Sequence, residues 1–260
     1  MTSIETTAER ATTLTAIYQH PVKSVGAQSL TTVRLSAGQA MPYDRRFAIT
    51  HGKSEFNRSA PEWMRCKNFL RIANIPEFAA LDLDYDPDSQ MLTVQTPNGP
   101  VDYDMGSPVS RSALAKFLEA IVDERVPGPF DIVDVPGISL SDSPDQAVSI
   151  AFRSSLQDLE AAAGAPLDLR RFRINLWLDD APAWQEFDLV GREFQIGDLR
   201  FRGIEKLTRC LVPAANPSTG KRDTNPLKVL SNSFGHSEFG ITAEVLAGGT
   251  LSLGATFGGA

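Results

Sequence analysis

The first hundred residues break into short β-prone runs separated by turn residues, and this limits the possible architectures most. "LTAIYQHPV" (14–22), "SLTTVRL" (29–35), "RRFAIT" (45–50), "AALDLDY" (79–85) and "MLTVQT" (91–96) are β-branched or alternating, and the "DPDSQ" between the last two reads as a hairpin loop. Short strands that follow one another without helical crossovers do not build a doubly wound parallel sheet. They favour a barrel or a sandwich.

Two helices interrupt the pattern. In "GSPVSRSALAKFLEAIVDE" Ser107 is placed to cap, Pro108 fits the first helical position, and Val109, Leu114, Phe117, Leu118, Ile121 and Val122 share one stripe. "SSLQDLEAAAGA" reads as a second helix with a serine cap and Gly164 as terminator. Between them the Pro- and Gly-rich stretch "RVPGPFDIVDVPGISLSDSPDQ" is the expected crossing between two halves. "RRFRINLWL" is expected to be a strong strand, and "REFQIGDLRFRGIEKL" and "TAEVLAGGTLSLGATF" return to strands and glycine turns.

A chain of 260 residues buries a sizeable core without disulfides. Its net charge of −7 argues against general nucleic-acid binding, which needs a basic surface. No stretch approaches the roughly 20 apolar residues of a membrane helix, and "MTSIETTAERATT" lacks the order of a secretory signal. The expectation is a cytoplasmic protein with no membrane partner. Of the basic residues 18 are Arg and 7 are Lys, and the arginines cluster in "DRRF", "LRRFRIN" and "TRC". A guanidinium fork suits phosphate or carboxylate oxygens, so the clusters fit a small anionic ligand; paired to the 32 acids on strand faces, they fit a structural role equally.

The two cysteines differ in setting. Cys66 lies among Trp63, Met64, Phe69 and Leu70 and reads as a small hydrophobe. Cys210 follows an expected strand over Leu199–Leu207, beside Arg209 and ahead of the loop "LVPAANPSTGK". Nearby positive charge favours the thiolate, which attacks electrophiles or binds soft metals; an inert buried thiol is the plain alternative. His20, His51 and His236 show no ligand spacing for zinc, and a cysteine–histidine catalytic pair has no support in the sequence. There is no flavin or nicotinamide glycine fingerprint, and two cysteines are too few for an ordinary iron–sulfur cluster.

"HPVKS", "YDRRFAIT", "SDSP", "RRFRINLWLD", "EFQIGD", "TRC", "NPSTGKRDTNPLKVL" and "FG" occur in an order and spacing that resembles the MOSC family, named for the C-terminal domain of molybdenum cofactor sulfurase. The likeness is to the two-part members, including those resembling the amidoxime-reducing component. It implies an α+β, β-rich fold: a tail over 1–13, an N-terminal β-barrel-like domain over 14–126, and a MOSC-type β-barrel domain with a few helices over 127–260. It implies a molybdenum cofactor (molybdenum-molybdopterin) with Cys210 as catalytic residue and metal ligand. By family position Lys23, Ser24 and Arg45 hold its anionic end or pterin edge. Asp142, Ser143, Arg173 and Asn175 hydrogen-bond the pterin, and Thr208 and Arg209 flank the metal ligand. Arg58 is a further family arginine position, and pyridoxal phosphate binding is a further family attribute. The activity implied is reduction of N-hydroxylated or other N-oxygenated small molecules, with electrons from a separate redox partner protein. A cofactor or sulfur carrier using Cys210, or a binding module without cofactor, are the alternatives. Asn216 stands where such members have Asp, Thr242 where they have Tyr after "FG", and "PEWMRCKNF" is longer than usual. These departures bear on the substrate class.

Overall fold

A computed structural model describes residues 11–122 and 125–258; the tail expected at the N-terminus lies, up to residue 10, outside them. The chain opens with β1 (Thr13–Gln19), β2 (Gln28–Leu30), β3 (Thr32–Leu35) and β4 (Phe47–Thr50). Next comes an antiparallel meander of β5 (Leu83–Asp86), β6 (Met91–Thr96) and β7 (Gly99–Asp104), followed by helix α1 (Pro108–Val122) and β8 (Asp131–Asp134), which pairs with β4. Leu83, Tyr85, Leu92 and Val94 alternate onto one face of the meander, where they meet Leu114, Leu118 and Val122 of α1. Val109, expected on the helix's apolar stripe, is instead 82% exposed; the residues of α1 that are buried begin at Leu114.

The second half supplies β9 (Val148–Phe152), α2 (Arg153–Ala163), β10 (Leu176–Asp179), β11 (Glu193–Ile196), β12 (Leu199–Thr208), α3 (Pro226–Val229), β13 (Glu238–Ala247), β14 (Gly249–Ser252) and β15 (Phe257–Gly258). Eight strands form one sheet in the order β15-β11-β12-β13-β9-β10-β1-β2. All neighbours are antiparallel except β9 and β10, whose parallel pairing requires a crossover, and α2 is that crossover. Every residue of β9 is buried, as a strand covered on both faces must be.

Strands β1 and β2 belong to this sheet, and β3 pairs with β14, so a division at residue 126 does not separate two sheets. The fold is β-rich with three α-helices among the described residues. The strand expected over "RRFRINLWL" starts only at Leu176. Leu169–Phe172 form a 3-10 turn that ends on Arg173 in the left-handed region (φ 53°), which no strand accommodates. Helix α2 has no serine cap either. Ser155 lies inside it and donates instead to buried Glu186, while Gly164 terminates it at φ 69° as expected. No helix among the described residues is long and apolar enough to cross a membrane.

Candidate functional site

The end of β1, the turn before β4, the loop before β9, the 3-10 turn before β10 and the end of β12 converge on one cleft. Its lining includes all ten residues that the sequence singled out: Lys23, Ser24 and Arg45 from the N-terminal half, Asp142 and Ser143 from the loop, Arg173 and Asn175, and the run Thr208, Arg209 and Cys210. The cleft holds about 160 Å³, below the several hundred Å³ of fully enclosing pockets, so a ligand of cofactor size keeps one side toward solvent.

Three of the lining residues, Ser24 (φ 66°), Arg45 (φ 52°) and Arg173 (φ 53°), have left-handed backbone without being glycine. Such conformations cost about 1–3 kcal/mol each and persist only where surrounding bonds impose them. Those bonds are present. The Arg45 amide donates to the His20 carbonyl (2.7 Å), and its guanidinium donates to the Asp44 carboxylate and to the Arg173 carbonyl (3.0 Å). Asp44 is buried, and its Oδ1 also accepts from the backbone N–H of His20 (2.7 Å) and faces His20 Nδ1 (3.1 Å). Burial alone would raise the Asp44 carboxyl, but Arg45 and the His20 hydrogen bonds outweigh it and hold the group below the usual carboxylate range. Burial, with Arg173 and Arg45 nearby, pushes His20 down to about 3, so it is neutral at physiological pH.

The cations of the cleft differ in how they are compensated. Buried Lys23 donates through Nζ to Asp142 Oδ1 (2.7 Å) and to the Leu140 carbonyl (2.7 Å). Arg45 has Asp44, and Arg171, also in the wall, has Asp223 (2.8 Å). Arg173 and Arg209 have no carboxylate partner among the described residues. Arg173 Nη1 donates to the carbonyl of Gly26 (2.7 Å), while Arg209 donates to those of Phe172 (2.9 Å) and Phe239 (2.9 Å from Nε). Burial, reinforced by Arg45, lowers Arg173 to about 9; burial likewise lowers Arg209 to about 10, against the favourable influence of Cys210. Both remain charged at neutral pH. The cleft therefore holds two guanidiniums whose charge is destabilised by burial and which an anion would relieve.

Beside them Cys210 is an exposed free thiol, just past the last pair of β12 with β13, Thr208 with Glu238. The inert-thiol alternative expects a buried Cys210, and the thiol is exposed. Cys66 is a half-buried free thiol outside the cleft lining. Arg58 does not join the site either; it pairs with Asp131 at 2.7 Å on the surface. Among the described residues no group of three or more His, Cys, Asp or Glu is arranged to hold a metal, so a metal here would draw its other ligands from its own cofactor.

Sequence reasoning overlooked Asp44, Ser149 and Arg171 as site residues. Asp44 stands in "YDRRFAIT" directly before Arg45, a charge adjacency that was visible; Ser149 sits in a plain apolar strand and gave no signal. Asn216 does not line the cleft: its amide Nδ2 holds Asp223, the partner of Arg171. Thr242 does line it, and the longer "PEWMRCKNF" segment reaches its rim, where the Trp63 indole donates to the Ser141 carbonyl (3.0 Å) beside Asp142.

Family models match the chain as the MOSC N-terminal beta barrel domain over residues 11–116 and the MOSC domain over residues 138–257. No curated protein matches the sequence. Among solved structures it is similar to APC1665, the YUAD protein from Bacillus subtilis, with 10% identity and a TM-score of 0.45 over 95% of this chain and 94% of that one. It is also similar to YiiM from Geobacillus stearothermophilus, with 15% identity and a TM-score of 0.33 over 43% of this chain; the match spans about half of YiiM, 52%. Likenesses this distant say nothing about activity. The two matched domains follow one another in the order in which the motifs run and leave few residues outside them, and the chain belongs to the MOSC family as a two-part member.

Proposed function

We propose that this protein binds a molybdenum cofactor in the cleft and uses it to reduce N-hydroxylated or otherwise N-oxygenated small molecules, with electrons delivered by a separate redox protein. The observation that carries this reading is an exposed thiol, Cys210, in the same cleft as two half-buried guanidiniums, Arg173 and Arg209, that have no carboxylate partner among the described residues. A sulfur-rich high-valent metal favours a thiolate ligand, and a pterin that ends in a phosphate supplies the anion that the guanidiniums lack. When bound, the cofactor supplies two-electron oxygen-atom chemistry at its metal, while the protein contributes binding, orientation and electrostatics.

In this reading Cys210 is the metal ligand, and Arg173 and Arg209 hold negative charge. Lys23 offers its ammonium, with Asp142 as the counter-charge that fixes it until a ligand competes for the same protons. Asp44 and His20 hold Arg45 in its left-handed turn, so the guanidinium is aimed before any ligand arrives. The exposure of Cys210 also suits a carrier that hands its cofactor or sulfur to another protein.

One experiment separates the two. Protein made in a molybdenum-supplied host is given an artificial electron donor and an N-hydroxylated amidine. Conversion to the amidine supports the reductase. A loaded protein that reduces nothing yet activates a cofactor-free molybdenum enzyme is the carrier. Protein with neither molybdenum nor pterin refutes the reductase and the cofactor carrier, and leaves only sulfur transfer on Cys210.

A further inference from the structure

Thr242 lies on β13 in the wall of the cleft, 8% exposed, and its hydroxyl oxygen has no hydrogen-bond partner among the described residues. A buried polar group left unpaired is unfavourable, and the few that native proteins keep call for an explanation. The neighbours leave Thr242 no internal solution. Ser149 stands directly opposite it across the β9–β13 pair, but the Ser149 hydroxyl donates to Asn175 Oδ1 (2.8 Å) and accepts from the Asn175 backbone N–H (2.9 Å). Asn175 is equally committed: Oδ1 also accepts from the Ser149 backbone N–H (3.0 Å), and Nδ2 donates to the Tyr18 carbonyl (3.1 Å). Asn175, singled out from sequence as a ligand contact, thus fastens β1, β9 and β10 together, and the free hydroxyl beside it belongs to Thr242.

Two residues before Thr242, β13 lies close against β9. Gly240, at φ 71°, brings β13 so close to β9 that a Cβ there would lie 2.7 Å from the Ile150 carbonyl oxygen. The cleft therefore offers guanidiniums for negative charge and, among its neutral hydroxyls, the buried and unpartnered one of Thr242, able to donate and to accept.

We propose that Thr242 is a specificity-determining residue of this cleft, whose hydroxyl hydrogen-bonds a neutral polar edge of a bound heterocycle. That the heterocycle is a pterin rests on the cofactor reading above; that the hydroxyl faces a ligand rests on its burial and its lack of a partner.

The test uses cofactor-free protein, wild type and the variants Thr242→Val and Thr242→Ser, with 6-carboxypterin and inorganic phosphate as separate probes in calorimetric titrations, alongside thermal unfolding without ligand. The expected result is that Thr242→Val weakens 6-carboxypterin binding about three- to tenfold, the range of one neutral hydrogen bond. Phosphate binding stays within about twofold and the ligand-free midpoint does not fall, because valine keeps the shape and removes an unpaired hydroxyl. Thr242→Ser restores pterin binding. The proposal is overturned if wild type binds no 6-carboxypterin, if the valine variant binds it unchanged, if phosphate binding falls by the same factor, or if the ligand-free midpoint drops. Failure of the cofactor reading looks different: protein from a molybdenum-supplied host lacks the cofactor while the valine effect on 6-carboxypterin persists.

Discussion

Arg173 and Arg209 present their charge to the cleft with only carbonyl oxygens as partners, and this makes the account testable one side chain at a time. Arg173→Ala is expected to weaken retention of the whole cofactor, metal and pterin together, by about 10- to 100-fold, the loss of charge-assisted hydrogen bonds of about 1.5–3 kcal/mol. Equal loss of molybdenum and pterin on dialysis is the readout, and loss of the metal alone argues against it. Glu186 gives a prediction independent of the ligand. Burial raises its carboxyl to about 7, against the Ser155 hydrogen bond, and no cation pairs with it among the described residues. Its folded value lies above the unfolded one, so its favourable contribution is complete below about 4.5 and is lost as pH rises through about 7. Wild type should therefore lose up to about 3 kcal/mol relative to Glu186→Gln between those pH values, followed by urea unfolding at each pH. A difference that does not change with pH contradicts the assignment. The cationic half of the site was legible because Lys23, Arg45, Arg173 and Arg209 stand in compact motifs. The hydroxyl of Thr242 and the full engagement of Asn175 were not, because whether a polar group is satisfied depends on partners brought by three other strands.

Among the elements, turns fix the site more than strands do. The Gly26 carbonyl accepts from Arg173, and Gly26 lies so close to Leu81 that a Cβ would collide with the Leu81 carbonyl oxygen. Gly26→Ala should lower the unfolding midpoint by several degrees and weaken anion binding at the same time, because the backbone that anchors Arg173 moves. Calorimetry with and without phosphate checks it, and lost stability with unchanged phosphate affinity separates Gly26 from the site. The same local detail explains what the sequence disclosed. β6 and the termination of α2 at Gly164 were readable because the alternation and the glycine act within a few residues. The segment 169–175 misled because the alternation of Phe172, Ile174 and Leu176 with polar residues fits a strand, while Arg173 is held left-handed by partners at Gly26 and Arg45 far away in sequence. The serine expected to cap α2 is drawn inward by Glu186, again a tertiary contact.

At the scale of the molecule, the N-terminal residues do two jobs. β1 and β2 extend the eight-stranded sheet, and the turn that follows β1 carries Lys23 into the cleft, so the site is assembled from both matched domains. Such a site is lost when the halves separate, and so is a shared apolar cluster in which Leu14, Ile17, Val33 and Leu35 pack with Val148, Ile150, Leu176 and Phe201. Order and spacing of motifs disclosed this two-part arrangement; pairing of β3 with β14 was beyond their reach because it joins segments more than two hundred residues apart. The two cysteines provide the sharpest contrast, since Cys210 is exposed in the cleft and Cys66 is half-buried outside its lining. The most direct measurement is the molybdenum and pterin content of wild type, Cys66→Ala and Cys210→Ala purified from a molybdenum-supplied host, with unfolding midpoints taken on the same preparations. The account predicts molybdenum and pterin in near-equal amounts in wild type and Cys66→Ala, and a severe loss of molybdenum in a Cys210→Ala protein whose fold is intact, because an exposed thiol contributes little packing. A folded Cys210→Ala protein that keeps its molybdenum contradicts the account.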